Sequence, residues 1–478
     1  MKLQALLQDV ETKSVYTLNP DITNISDDTR KIRRSGLFVC IKGNNHDGHA
    51  FAQKALDKGA EVIICERDIG IKNSIIVEDS RKAYALICSA FYGSAHKEMR
   101  MLGVTGTNGK TTVSYLIKKI LDDAGCKTGL IGTVNVVIGK EKYPADLTTP
   151  DPADLHRYLM LMKIAGCDTC IMEVSSQALD QDRAYGINFD YSVYTNLSPE
   201  HLDYHRTMED YAKAKAKLFE TSKISVVNAD DRYSLYMLEN SVGKTYTYGV
   251  SDTADFSADK IRMTTDGVSY RMTDKGEEYH VSFESLGVFS VYNSLAALSV
   301  ARVMGLNTDK AVRSVSRFGG ILGRMERVEN SFGINIIIDY AHTPDSLTNV
   351  LKTLRSLYNG RLITVFGCGG DRDKEKRPLM GEAACNLSDF VFVTSDNPRT
   401  ENPEEIINDI TVTLPKNKYF RITDRTLAIK SALYSARAGD TVLIAGKGHE
   451  KYQILGTQKI YFNEREIIKK LLEDKARF

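Results

Sequence analysis

Gly103-Val104-Thr105-Gly106-Thr107-Asn108-Gly109-Lys110-Thr111-Thr112 stands between an apolar run and a stretch of helical periodicity. Residues 101–107 read as a strand entering a glycine turn. Residues 111–125 read as a helix, because Val113, Leu116, Ile117, Ile120 and Leu121 recur on one face. A glycine turn at a helix N-terminus gathers backbone N–H groups and positive potential, which suits phosphate. Lys110 can reach the β- and γ-phosphates, and the Thr111 hydroxyl can meet Mg²⁺. The strict phosphate-loop motif has glycine where this chain has Val104, so Gly103 and Gly106 are expected to supply the flexibility. The segment predicts a site for ATP or a similar nucleotide, held by Gly106, Thr107, Asn108, Gly109, Lys110, Thr111 and Thr112.

Outward from this loop, strand-like runs at 170–176, 191–198 and 224–230 alternate with helix-like segments, which implies a mostly parallel sheet. Residues 252–282 read as a small antiparallel insertion, and 291–306 as a helix closing the region. Before the loop, short strands at 37–41, 61–65 and 74–78 with a helix at 51–60 suggest a small α/β unit. After it, strands at 334–341, 361–370, 389–397 and 441–448 suggest a doubly wound, Rossmann-like unit. The expected fold is therefore α/β in three domains, 1–98, 99–322 and 323–478. A length of 478 residues agrees, at ~150 residues per domain.

Lys and Arg total 63 against 62 Asp and Glu, so nothing points to a nucleic-acid coat or an acidic tail. With 42% hydrophobic residues the chain can bury a core, and no apolar run approaches the ~18 residues that span a membrane. The N-terminal run turns charged too early for a signal peptide. A cytoplasmic enzyme is the expectation. The eight cysteines are scattered, and several lie in apolar strand-like runs, which reads as reduced core thiols. Cys167 and Cys170 form one Cys-x-x-Cys without a second pair, so core packing is favoured over metal or redox work.

Three positions stand out as chemistry. Glu173 ends the apolar run 170–174, and strand C-termini are where open α/β sheets place ligands. It is either a Mg²⁺ ligand or a solvated strand end. His201 and His205 are four apart, on one face if 199–205 is helical. Leu202 replaces the glutamate that a zinc-protease motif needs. Lys215 shares a stripe with Tyr211, Leu218 and Phe219, while Lys213 and Lys217 lie off it. A lysine so placed snorkels, pairs with an anion, or is chemically altered.

The motifs at 105–112, 173–176, 196–205, 228–231, 323–326, 339–345 and 446–450, with Asp47-Gly48-His49, run in order over essentially the whole chain. Together they resemble the Mur ligases of peptidoglycan synthesis, nearest the branch that adds meso-diaminopimelate. The resemblance implies that Lys215 is carbamylated and helps position Mg²⁺ with Thr111, Glu173 and His201. It places Asn293, Arg324 and Asp339 near the base, phosphates and ribose of ATP. Thr148, Thr149, Ser175, Gln181 and Arg183 match contacts to UDP-muramoyl-dipeptide, and Thr29, Asn44, Asn45 and His46 the uridine-nucleotide pocket. Gln177, Glu200 and Leu147 depart from the residues the family usually carries there.

The stretch Asp396-Asn397-Pro398-Arg399 matches the diaminopimelate pocket, with Arg372, Gly446 and Glu450. A guanidinium can hold the distal carboxylate of that amino acid bidentately, and L-lysine has no such group. The implied reaction is ATP-driven phosphorylation of the D-glutamyl γ-carboxylate, then attack of the amine on the acyl phosphate. Lys110 would screen the anions, with His205 and His342 orienting ligands or assisting proton movement. A monomer is implied. The alternatives are the sister ligation with L-lysine and a folylpolyglutamate-type ligase. Asp47-Gly48-His49 argues against the second.

Overall fold

The computed structural model describes residues 1–43 and 46–477; the expectations for Asn44 and Asn45 lie outside the described residues. Among the described residues three large sheets follow one another along the chain, with a two-stranded hairpin, Tyr452–Leu455 and Gln458–Tyr461, after the last. The first has four parallel strands, Asn24–Ser26, Gly36–Val39, Ala60–Cys65 and Ser74–Ile76, paired in chain order. The second has eleven strands, and the phosphate-loop strand Arg100–Thr105 lies within it, between Phe189–Tyr194 and Thr169–Glu173. The third has six, built around Asn335–Asp339, Thr441–Ala445, Leu362–Phe366 and Phe390–Val393 in parallel.

Continuous apolar runs become these central strands because helices cover both faces of a parallel sheet. Helix Lys110–Asp123 buries Val113, Leu116, Ile117, Ile120 and Leu121 as its periodicity requires. Each such side chain contributes ~1.5–3 kcal/mol on leaving water. Helix Val288–Val303 packs beside it, with Leu295 and Leu298 fully buried.

Two expectations are corrected. Gly103 lies inside the strand, not in the turn, and its role is steric: a Cβ there would meet Leu218 at 2.8 Å and Phe189 at 3.0 Å. The antiparallel strands Phe256–Thr264, Gly267–Asp274 and Glu277–Phe283 are not a separate insertion. Pairing of Tyr248 with Phe256 joins them to the eleven-stranded sheet, and their inward residues enter its core.

All eight cysteines are free; seven are buried and Cys126 is half-buried. Cys167 and Cys170 lie in the apolar core, so they are packing residues. Among the described residues, no helix is long and apolar enough to cross a membrane.

Candidate active site

The loop after Arg100–Thr105 turns through two glycines with positive φ, Gly106 at 148° and Gly109 at 87°. A methyl group on Gly106 would overlap the Thr195 hydroxyl, and one on Gly109 would come 2.5 Å from Asn293 Oδ1. The loop is thus wedged between two side chains, Thr195 and Asn293. Thr107 Oγ1 lies 3.2 Å from Tyr211 Oη, and the Asn108 N–H donates to Asn196 Oδ1 at 2.9 Å.

Lys110 folds back, donating to the carbonyls of Gly106 (2.8 Å) and Thr107 (2.7 Å). Burial pulls its pKa down, against the opposing Glu200 and Glu173 carboxylates. Lys215 is 1% exposed and donates to the same Gly106 carbonyl at 2.9 Å, its ammonium 4.5 Å from the Tyr211 ring centroid. It does not snorkel. Burial first, and the Lys110 charge second, hold its pKa well below the usual lysine value. Burial of an amine disfavours its charged form.

Glu173 is fully buried at its strand's end. Its carboxylate accepts from Thr111 Oγ1 (3.0 Å), Thr133 Oγ1 (2.8 Å) and the Thr133 N–H (3.1 Å). Among the described residues it has no ion-pair partner within 4.0 Å, so a buried carboxylate stands beside the phosphate loop with hydroxyl and amide donors around it. That donor set suits a hard cation. Thr133 is a participant the sequence did not signal.

His201 is not part of a helical face. It caps the short helix Leu202–His205 in the left-handed region, φ 56°, its Nε2 3.9 Å from Glu200 Oε1. His201 and His205 still meet one ring, Tyr211, at centroid distances of 6.3 Å and 4.9 Å. His205 stacks on that ring, bonds Ser176 Oγ at 2.8 Å and is 5% exposed. It supports the Tyr211 ring by stacking on it.

Residues from beyond 323 complete the loop's surroundings. Arg324 reaches Thr111 Oγ1 at 3.4 Å, and Asp345 Oδ2 accepts from Asn108 Nδ2 at 3.2 Å. His342 Nε2 lies 3.0 Å from Glu200 Oε1. Burial would raise the Glu200 pKa, but the His342 bond and the His201 and Lys110 charges hold it well below the carboxylate range. Asp339 is buried, accepting from the N–H groups of Met325 (2.7 Å) and Ala341 (2.8 Å).

Tyr340 joins this centre to the next. Its ring meets the Arg324 guanidinium at 4.5 Å, His342 at 4.6 Å and His449 at 5.1 Å. Burial first, and the Glu450 carboxylate second, push its hydroxyl pKa up, and a Cβ on Gly448 would come 2.8 Å from Tyr340 Cβ. The Asp396–Arg399 loop and Glu450 are therefore neighbours of the phosphate loop's surroundings. Asn397 Nδ2 donates to Glu450 Oε2 at 2.9 Å. Arg399 adopts φ 51° and donates to the Gly370 carbonyl at 2.7 Å. Burial, then the Arg372 charge, lowers its pKa, so two guanidiniums share this corner. Such a corner favours an anion. Gly446 presses on Asp396, where a Cβ would come 2.7 Å from Oδ2. Pro398 lies against Gly370, whose Cβ position its carbonyl fills.

On the other side, a cavity of about 390 Å³ is lined by His46, Phe51, Arg81, Tyr84, Gln181 and Arg183, among others. It joins the first sheet's unit to the second. Thr29 is buried outside that lining. Arg183 donates to the Thr149 carbonyl at 3.0 Å. The Thr149 hydroxyl is committed to the Glu173 carbonyl at 2.8 Å and the Ser175 N–H at 3.0 Å, and Thr148 Oγ1 meets Thr133 Oγ1 at 3.1 Å. This wall and the Glu173 centre are thus hydrogen-bonded together.

Residues 21–106 match the model "Mur ligase family, catalytic domain", 104–301 the "Mur ligase middle domain", and 323–448 the "Mur ligase, glutamate ligase domain". The chain is 42% identical over 480 residues to UDP-N-acetylmuramoyl-L-alanyl-D-glutamate–2,6-diaminopimelate ligase 1 of Clostridium acetobutylicum, covering 99% of this chain and 100% of that one. It is 43% identical over 481 residues to the ligase so named in Clostridioides difficile, with 99% of each covered. A solved structure of a ligase of that name superposes with a TM-score of 0.72 at 33% identity, covering 100% of this chain and 99% of the other. The chain belongs to the Mur ligase family.

Proposed function

We propose that this protein joins meso-diaminopimelate to the D-glutamyl γ-carboxylate of UDP-N-acetylmuramoyl-L-alanyl-D-glutamate, using ATP through an acyl phosphate. Its units divide at 98/99 and 322/323, with the UDP-sugar in the first, ATP on the second and the amino acid in the third. The observation that carries the reading is the Arg372–Arg399 corner beside Asn397 and Glu450, tied through Tyr340 to the phosphate loop.

Lys110 must exchange its two loop carbonyls for phosphate oxygens, whose negative charge makes the stronger bonds to an ammonium. Arg324 lies within reach of the same phosphates. The donor chemistry at Glu173 and Thr111 fits Mg²⁺, with His201 and a carbamylated Lys215 as the further holding groups. Mg²⁺ commonly keeps several waters and phosphate oxygens, so few protein ligands are needed. Bound there, Mg²⁺ supplies charge screening between carboxylate and triphosphate. Carbamylation would join CO₂ to the neutral Lys215 amine with release of one proton, putting an anionic carbamate where the lysine stood. Glu200 and His342 hold the third unit against the loop, which orients the incoming amine and excludes water.

The test is phosphate release from ATP with UDP-muramoyl-dipeptide, comparing meso-diaminopimelate with L-lysine. Turnover should require the amino acid and favour diaminopimelate by about 10²-fold or more, since lysine leaves the guanidinium corner unpaired. Faster turnover with lysine, or release indifferent to any amino acid, overturns the reading.

A further inference from the structure

Lys447 lies between the two glycines of Gly446-Lys447-Gly448, and its side chain is fully buried. Gly446 and Gly448 both have positive φ, 114° and 52°, and Gly448 packs against Tyr340, so the backbone gives the lysine one direction. Its ammonium donates to Asn397 Oδ1 at 2.9 Å and to Glu450 Oε2 at 2.9 Å. Asp396 Oδ1 lies 3.9 Å away and the Tyr452 ring centroid 5.6 Å away. A buried charge this thoroughly paired is costly to assemble. Lys447 is not among the residues lining the cavity of Phe51, Tyr84 and Arg183, and its ammonium bonds are to Asn397 and Glu450.

We infer that Lys447 is a positioning residue for amino-acid recognition: it fixes which atoms of Asn397 and Glu450 face the incoming amino acid. This rests on the proposed ligase function and adds a residue to it. An amide side chain can be turned either way, and its neighbours decide which. Here two donors, the Lys447 ammonium and the Ile454 N–H at 3.0 Å, converge on one atom of Asn397, so that atom is oxygen. The nitrogen is thereby turned to Glu450 Oε2, with one N–H left to offer. Glu450 Oε2 accepts from both Lys447 and Asn397, which leaves Oε1 to accept from a ligand. The pocket then presents a donor beside the Arg399 corner and an anionic acceptor next to it. That is the complement of an α-amino-acid end, carboxylate and ammonium side by side. Without Lys447 the amide keeps only the Ile454 N–H and the Glu450 carboxylate to hold its orientation, and Glu450 loses the cation that locks its carboxylate.

The experiment is steady-state kinetics of Lys447→Met, which keeps length and removes the charge, on the full chain. Wild type is run first with meso-diaminopimelate; no turnover there sinks the ligase reading itself, separately from this one. For the variant the diaminopimelate KM should rise about tenfold or more, as loss of a buried, charge-assisted hydrogen bond predicts. The KM values for ATP and the UDP-sugar should stay within about twofold, since Lys447 touches neither site. Asn397→Ala and the double variant complete a cycle, and the two effects should be strongly non-additive. If Lys447→Met does not fold, Lys447→Gln, which keeps a donor toward Asn397 Oδ1, takes its place in the cycle. Equal KM rises for all three substrates, an unchanged diaminopimelate KM, or additive effects would show that Lys447 only holds the fold together.

Discussion

Lys215 and Arg399 show how a single residue's surroundings convert into chemistry. The Lys215 anomaly was legible in sequence, because Tyr211, Leu218 and Phe219 form an apolar stripe that a lysine interrupts, and all four side chains are buried. What it touches was not legible, since the Gly106 carbonyl lies 109 residues away. Lys215→Ala should lower turnover by at least about 10²-fold in a phosphate-release assay, as expected when charge stabilisation is lost at a reacting centre. Bicarbonate should not restore it, there being no amine left to carbamylate. Arg399 depends on a left-handed backbone and a neighbouring Arg372, neither visible in a local motif. Arg399→Ala should raise the diaminopimelate KM about tenfold or more, with the ATP KM unmoved. A parallel loss of ATP affinity would contradict the separation of the two pockets.

The elements fall into those that announce themselves and those that do not. Helix Lys110–Asp123 and the central strands follow from periodicity and continuous apolar runs. The hairpin Tyr452–Leu455 with Gln458–Tyr461 does not, because its second strand is exposed along its length and presents no pattern. It is held from outside: the Arg399 N–H donates to the Ile454 carbonyl at 3.1 Å and Gln453 Nε2 to the Asp396 carbonyl at 2.6 Å. The short edge strand Glu326–Val328 is silent for a similar reason, three residues with none fully buried. For the phosphate-loop turn, Gly106→Ala should cost about 1–3 kcal/mol, from strained backbone and collision with Thr195. Thermal unfolding and nucleotide titration would register it together. A variant as stable and as tight as wild type would mean that the turn relaxes freely.

At the scale of the molecule, the units are joined by contacts that sequence could not supply. Arg324 and Thr111 are 213 positions apart, Glu200 and His342 142. The first and second units meet at two histidines, His96 and His156, with ring centroids 5.6 Å apart. Neither His96 ring nitrogen nor His156 Nε2 has a side-chain-level partner among the described residues, and burial pushes the two pKa values down to about 4 and about 3. His205 and His449 are likewise lowered by burial, to about 4 and about 3. The folded state therefore binds these protons less readily than the unfolded chain, whose histidines titrate at ~6.5. Stability is full above that value and falls as pH drops through it toward 4. Each histidine adds up to ~1.4 kcal/mol per pH unit in that window. Urea midpoints between pH 7.5 and 5 should shift steeply downward, and His156→Gln should flatten the slope by about one proton. A flat profile would place these rings in contact with water.

The thiols lend the protein a practical property. Seven sulfur atoms are sealed in the interior and one, on Cys126 just past the phosphate-loop helix, is half-open. A maleimide dye has a single address without any engineering of the chain. Attached there, it sits at the far end of the rod whose near end grips the triphosphate, an optical gauge of ligand arrival that leaves the chemistry untouched.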